Sequence, residues 1–97
     1  MLYVLMCRDK PDSLDTRMAT RDKHIEYAKQ AGDRLKMAGP LLDSDGLMCG
    51  SLIIVEAASR EAAELVAAND PYALAGLFES VEVIPWKAAL GEWVQAG

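Results

Sequence analysis

His24, in the run "DKHIEY", is the single histidine of a 97-residue chain. Its imidazole is the one side chain present whose ordinary pKa, about 6.5, suits proton transfer at neutral pH. It precedes Ile25 by one residue and Ala28 by four, so it borders the apolar stripe of a helix rather than the middle of its wet face. The second residue of interest is Asp70, in "AANDPYALAGL", where an alanine-rich helical run breaks and then resumes. A residue before proline is pushed to extended backbone angles, as a helix N-cap requires, and Pro71 as first helical residue loses nothing by lacking an N–H. Asp70 therefore reads as a helix cap. A carboxylate held by backbone N–H groups stays ionised, and beside His24 it would orient the imidazole and favour its charged form. Two plainer alternatives stay open at this level: a structural or surface histidine, and an aspartate that only caps.

Other polar side chains could surround that pair. Tyr3, Tyr27 and Ser51 could donate to a bound carbonyl or phenol, and Arg8, Arg17 or Arg21 could hold a carboxylate. Tyr3, Arg21, Ser51 and Tyr72 are the expected substrate-binding set, though each has an ordinary core or surface role open to it. The formal net charge is −5, which argues against nucleic acid, since a phosphate backbone calls for a basic face that releases counterions. The local basic set Arg8, Arg17, Arg21, Lys23 and Lys29 could hold one small anion. Cys7 and Cys49 form no C-x-x-C pattern and, with a lone histidine, give no zinc signature and no disulfide framework, so free thiols are expected and no metal. The apolar opening Met1 to Cys7 is too short for a signal-peptide core, and no run approaches the roughly 20 apolar residues of a membrane span. The expectation is a cytoplasmic protein with no membrane partner.

These residues must be held by a small scaffold. A chain of 97 residues with 52% hydrophobic content suits one domain, here 1–97 with a core to about 90 and a tail over 91–97. A domain of this size buries only roughly 60 to 65% of its unfolded surface, which favours covering a bare sheet face with a second copy of the chain. "LYVLMC", residues 2–7, reads as a buried strand stopped by Pro11. From Leu14 or Thr16 to Leu35 the pattern is helical, with Ile25, Ala28, Gly32 and Leu35 on one stripe and Met18 on its extension. Ser13, Asp15 and Thr16 are candidate caps, and Arg17 and Arg21 fall among the residues available to solvent. After "KMAGP" comes a strand through Leu42, with Gly39-Pro40 marking a sheet edge, then a turn at "DSDG" and a strand in "LMCGSLIIVEA". Ser59 caps a helix to about Ala68, a short helix follows Asp70, and Val81 and Val83 alternate with Glu82 in a last strand ending near Pro85. Trp93, in the tail, has a ring large enough to cover an edge or a partner subunit. The order is βαββαβ, the ferredoxin-like α+β plan with an antiparallel sheet of order 4-1-3-2. In that plan the end of the first strand, the Asp43 to Gly46 hairpin and Asn69-Asp70 meet at one end of the sheet, near His24.

The ordered set "MLYVL", "RDKHIEY", "MAGPL", "GSLIIVE", "SREAAE", "NDPYALAGL" and "VEVIPW" resembles the YCII-related (YciI-like) family over nearly the whole chain. The resemblance implies a ferredoxin-like subunit that pairs into a dimeric α/β barrel, with a His–Asp acid/base pair onto whose positions His24 and Asp70 fall. Most members have no established reaction. A related enzyme eliminates chloride from a chlorinated hydroxyhydroquinone, and similar barrels isomerise lactones or oxidise quinol-like compounds without a cofactor. The chain is short between "AGPLLD" and "GLMCG", where some relatives carry a longer loop. The resulting expectation is a homodimer that binds a small organic molecule, aromatic or quinone-like, and acts on it as a cofactor-independent lyase or isomerase. The alternative is a non-catalytic metabolite-binding or accessory module.

Overall fold

The computed structural model describes residues 1–94; of the tail expected over 91–97, the last three residues lie outside the described ones. β1 (Leu2–Asp9) is the spine of the sheet, because period-two alternation turns Tyr3, Leu5 and Cys7 to one face, where all three are buried. β3 (Met48–Glu56) pairs antiparallel with β1 in a register that sets Leu5 opposite Ile53 and Cys7 opposite Ser51. β4 (Phe78–Trp86) lies on the other side of β1, and β2 (Leu35–Leu42) closes the far edge against β3, giving the order β2-β3-β1-β4. The expected ferredoxin-like α+β plan and strand order are therefore observed. Pro40 and Pro85 both sit on edge strands, where a missing N–H breaks no interior ladder.

Gly50 occupies a point of close approach between strands. A Cβ there would stand 2.5 Å from the Cys7 carbonyl oxygen and 2.9 Å from Leu41 Cδ1, so only glycine lets β3 sit against its neighbours.

α1 (Leu14–Gln30) and α2 (Arg60–Ala68) cover the face carrying Tyr3, Leu5, Cys7, Ile53 and Val55. α2 begins where the Ser59 side chain accepts the Ala62 N–H, and it presents Ala63 and Ala67, four apart and fully buried, to β1 and β4. Two small residues on that stripe let the helix lie close to the strands. On the opposite face, alternation directs Val4, Met6, Leu52, Ile54 and Ile84 away from the helices.

Several expectations, most of them about α1, need correction. The helix ends at Gln30 and not at Leu35: Gly32 takes a left-handed φ of +57°, a 3-10 turn spans Gly32–Arg34, and Leu35 opens β2 six residues before the expected start after Gly39-Pro40. Gly32 and Leu35 continue the helical spacing of Ile25 and Ala28 without belonging to the helix; Leu35 is half-buried through its strand pairing with Val55. Met18, placed on the apolar stripe, is 51% exposed, and the neighbouring Arg17, expected in solvent, is buried at 2%. Trp93 is 80% exposed and covers no edge of its own sheet.

Candidate functional site

The break after α2 builds the first half of the site. Asp70 holds extended angles, φ −60° and ψ 132°, as the residue before proline must, and its Oδ1 accepts the Tyr72 N–H at 2.9 Å to start the single turn α3 (Pro71–Leu74). Asp70 is thus the cap that the sequence suggested. It is also buried, and both its oxygens lie 3.0 Å from His24 Nδ1, donated from the middle of α1. The spatial meeting of residues 46 apart in sequence is therefore present. With Nδ1 spent on an acceptor-only carboxylate, the proton sits on Nδ1, and Nε2 has no hydrogen-bond partner within the described residues.

Tyr72 supplies the second half. Its ring stacks on the His24 imidazole with centroids 4.1 Å apart and planes 17° apart, while Phe78 meets it edge-on at 6.1 Å. Arg17, seven residues before His24 and so on the same face of α1, brings its guanidinium carbon to 4.5 Å from the Tyr72 centroid. The guanidinium is locked from behind: Nε donates to Asp9 Oδ2 at 2.7 Å, and Nη2 donates to Asp9 Oδ1 at 2.9 Å and to Ser51 Oγ at 2.9 Å. Burial pulls the Arg17 pKa down, but the hydrogen bond and charge of Asp9 more than reverse this and leave it raised. Burial also raises the Tyr72 phenol; Arg17 opposes that rise and Asp70 adds to it. Cys7, wholly buried beneath this cluster, is pushed up to about 12, first by burial and then by the nearby Asp70 charge, so it remains a thiol.

His24 and Tyr72 open onto a cavity of about 350 Å³ between α1 and the β2–β3 half of the sheet. Arg17, Arg21, Lys29 and Ser51 give it polar groups, and Ile25, Ala28, Leu35, Pro40 and Ile53 give it apolar walls. A larger cavity of about 730 Å³ lies beside the start of β1 and the end of β3; of the groups lining it, the Tyr27 hydroxyl donates to the Val66 carbonyl at 2.8 Å, and Glu56 accepts from the terminal amine of Met1. The chain's single histidine lines the smaller cavity and not the larger.

Of the expected set, the structure brings His24, Arg21, Ser51 and Tyr72 to this cavity. Asp70 stands behind His24 and does not line it. Tyr3 is corrected: alternation on β1 turns it into the hydrophobic core beside Val55, where it is 6% exposed. Arg8, one residue beyond the buried Cys7, is exposed on the other side of the strand. Cys7 and Cys49 are free thiols. Among the described residues no cluster of three or more His, Cys, Asp or Glu is gathered as a metal site would need, and no helix is long and apolar enough to cross a membrane.

Sequence reasoning missed Asp9 and the inward role of Arg17. Two signals were available: Asp9 continues the Tyr3, Leu5, Cys7 alternation toward the helices, and Arg17 precedes His24 by two helical turns.

A family model described as the YCII-related domain matches residues 1–87. The protein called YciI from Escherichia coli O6:H1 is 41% identical, with 90% of this chain and 97% of that protein covered, and an uncharacterized protein from Haemophilus influenzae is 38% identical over the same shares. Among solved structures, 5-chloro-2-hydroxyhydroquinone dehydrochlorinase from Burkholderia phenoliruptrix, in complex with 2,5-dihydroxybenzoquinone, is similar with a TM-score of 0.86 and 32% identity, covering 92% of this chain and 96% of that one. An antibiotic biosynthesis monooxygenase shares the fold at a TM-score of 0.55 and 17% identity, covering 93% of this chain and 100% of that one.

Proposed function

The chain belongs to the YCII-related family, and from that premise we propose that it is an enzyme acting on a small organic molecule, with His24 as the proton-transferring group. The observation that carries this reading is the His24 Nδ1 to Asp70 contact of 3.0 Å on a ring that lines the cavity. Asp70 fixes the tautomer, so the Nε2 lone pair is the base; when Nε2 takes a proton, the carboxylate behind it offsets the new charge. In an elimination from the keto tautomer of a quinol-type ring, His24 removes a hydroxyl proton, that O–H electron pair becomes a C=O bond, the ring double bond shifts, and the halide departs from the saturated carbon with its own electron pair. In an isomerisation the same proton returns at another atom. Arg21, Ser51 and Tyr72 hold the substrate oxygens, and no cofactor takes part. The likeness to the dehydrochlorinase supports a ring substrate of quinol type.

The chain acts as a homodimer, a reading supported by the apolar sheet face of Val4, Met6, Leu52, Ile54 and Ile84 that no helix of its own covers. The direct test of the function is chloride release from 5-chloro-2-hydroxyhydroquinone and from related halogenated phenols. Turnover by the wild type is expected to fall about 10²- to 10⁴-fold in His24→Ala. Equal turnover in that variant refutes the assignment, and binding without turnover in the wild type turns the reading to a metabolite-binding module.

A further inference from the structure

The charges around the cavity are not balanced. Arg17 is matched by Asp9 and His24 by Asp70, but Arg21 and Lys29, which also line the cavity, make no ion pair within the described residues, and no carboxylate lines it. Asp22 and Glu26 stand on the outer side of α1, in a separate groove that Lys29 also borders, and neither is within ion-pair distance of it. Arg21 is placed between the two paired groups, four residues after Arg17 and three before His24, on the cavity side of the helix. Its positive charge is felt at the Tyr72 hydroxyl, which it favours in ionised form. Arg17 is committed to Asp9, Ser51 and the neighbouring Tyr72, which leaves Arg21 and Lys29 as the unmatched charges. A chain of net charge −5 thus keeps a cationic lining at one small concavity.

Resting on the functional reading above, we infer that the substrate is an organic anion, a flat ring bearing an ionised enol or phenol oxygen, whose charge is held by Arg21, with Lys29 adding to the positive field of the cavity. Apolar walls from Ile25, Leu35, Pro40 and Ile53 suit the carbon ring, and they disfavour a small hydrated inorganic anion, which would lose water there without recompense. An ionised oxygen on the ring also directs the chemistry: its lone pair becomes a C=O bond as a conjugated ring carbon takes up a proton from His24 Nε2. The Tyr72 ring is already stacked on His24, so it offers the ligand its hydroxyl edge.

The test is a pair of ligands that share a ring and its carbonyls and differ in charge and two methyl groups, with Arg21→Gln isolating the charge. 2,5-Dihydroxybenzoquinone is a vinylogous acid and ionises in neutral buffer; its dimethyl ether keeps the ring and carbonyls and stays neutral. By calorimetry on the whole chain, the anion is expected to bind at least about tenfold tighter than the ether, to weaken with added salt, and to lose about tenfold in Arg21→Gln while the ether is unaffected. Inorganic phosphate at equal concentration should not displace it. Equal affinity for both ligands, an anion affinity indifferent to Arg21→Gln, or displacement by phosphate each overturns the inference. Because only binding is read, and His24→Ala keeps the cationic lining, preference for the anion in that variant stands even if no turnover is found. Turnover of a neutral ring with no preference for the anion would leave the catalytic reading and remove this one.

Discussion

Asp70→Asn separates the two tasks that Asp70 performs. The asparagine carbonyl can still accept the Tyr72 N–H, which Asp70 Oδ1 takes at 2.9 Å, so α3 keeps its cap. The amide NH₂ then falls where Oδ2 met His24 Nδ1 at 3.0 Å; the carbonyl at the Oδ1 place, equally near Nδ1, already accepts the Tyr72 N–H, so a proton on Nδ1 would stand against the amide donor. The imidazole resolves the conflict by moving its proton from Nδ1 to Nε2, and the lone pair that should face the substrate disappears. Proton transfer is expected to fall by about 10⁴, as seen when a histidine base is left in the wrong tautomer, while folding stability changes by only about 1 kcal/mol. Asp70→Ala, by contrast, loses the cap, about 1 kcal/mol, and leaves the Nδ1–H unsatisfied for a further 1 to 3 kcal/mol or so. Imidazole nitrogen shifts, read by long-range proton–nitrogen NMR on the neutral form, report the tautomer without any substrate. The wild type should show a protonated Nδ1 and Asp70→Asn a protonated Nε2. An unchanged tautomer in the variant, or a stability loss equal to that of Asp70→Ala, refutes the reasoning.

Removing Asp9 strands a guanidinium that is 3% exposed, so Asp9→Ala should cost about 3 to 5 kcal/mol in urea unfolding, and the pair Asp9→Leu with Arg17→Met should recover most of it. A loss below about 1 kcal/mol would mean that the pair behaves as a surface ion pair. The Cys7 thiol, with a pKa of about 12 in the fold against 9.0 for the free group, is neutral in the folded chain while its unfolded counterpart ionises. Its contribution is therefore complete below pH 9 and falls as pH rises, by about 1.4 kcal/mol at pH 10. Cys7→Ala should flatten the stability profile between pH 9 and 10, below the range where Tyr27 and Tyr72, both also raised, begin to add their own loss.

The parts of the fold that sequence made legible are those where one pattern excludes others. The short apolar runs of β1 and β3, bounded by turn residues, and the Ser59 cap read as they fold, and Asp70-Pro71 restarts a helix for reasons local to three residues. The end of α1 was not legible, because Gly32 and Leu35 satisfy helical spacing as well as they satisfy a turn and a strand start, and only pairing with Val55 decides between them. Arg17 was misplaced for a related reason. A long cationic side chain on a helix is ordinarily wet, and what buries this one is Asp9 and Ser51, on two strands whose register no single-residue pattern encodes. Tyr3 illustrates the converse: its hydroxyl suggested a ligand, while its odd-numbered place on β1 already assigned it to the core.

The break after α2 is what turns a core stripe into a site. Ala63 and Ala67 face the sheet from α2, and in an unbroken helix position 70, seven and three residues on, would continue that stripe. An aspartate there would bury its charge near Leu5 and Val83 with nothing to answer it, at a cost of several kcal/mol. Pro71 forbids that continuation by holding Asp70 at a ψ of 132°, which swings the carboxylate from the sheet toward α1. The same turn sets Tyr72 against α1 at a height between Arg17 and His24, residues two helical turns apart that both touch its ring. One backbone interruption therefore fixes the imidazole, its carboxylate partner and the stacked tyrosine together, and a variant that restores helix through 69–72 should dismantle all three at once.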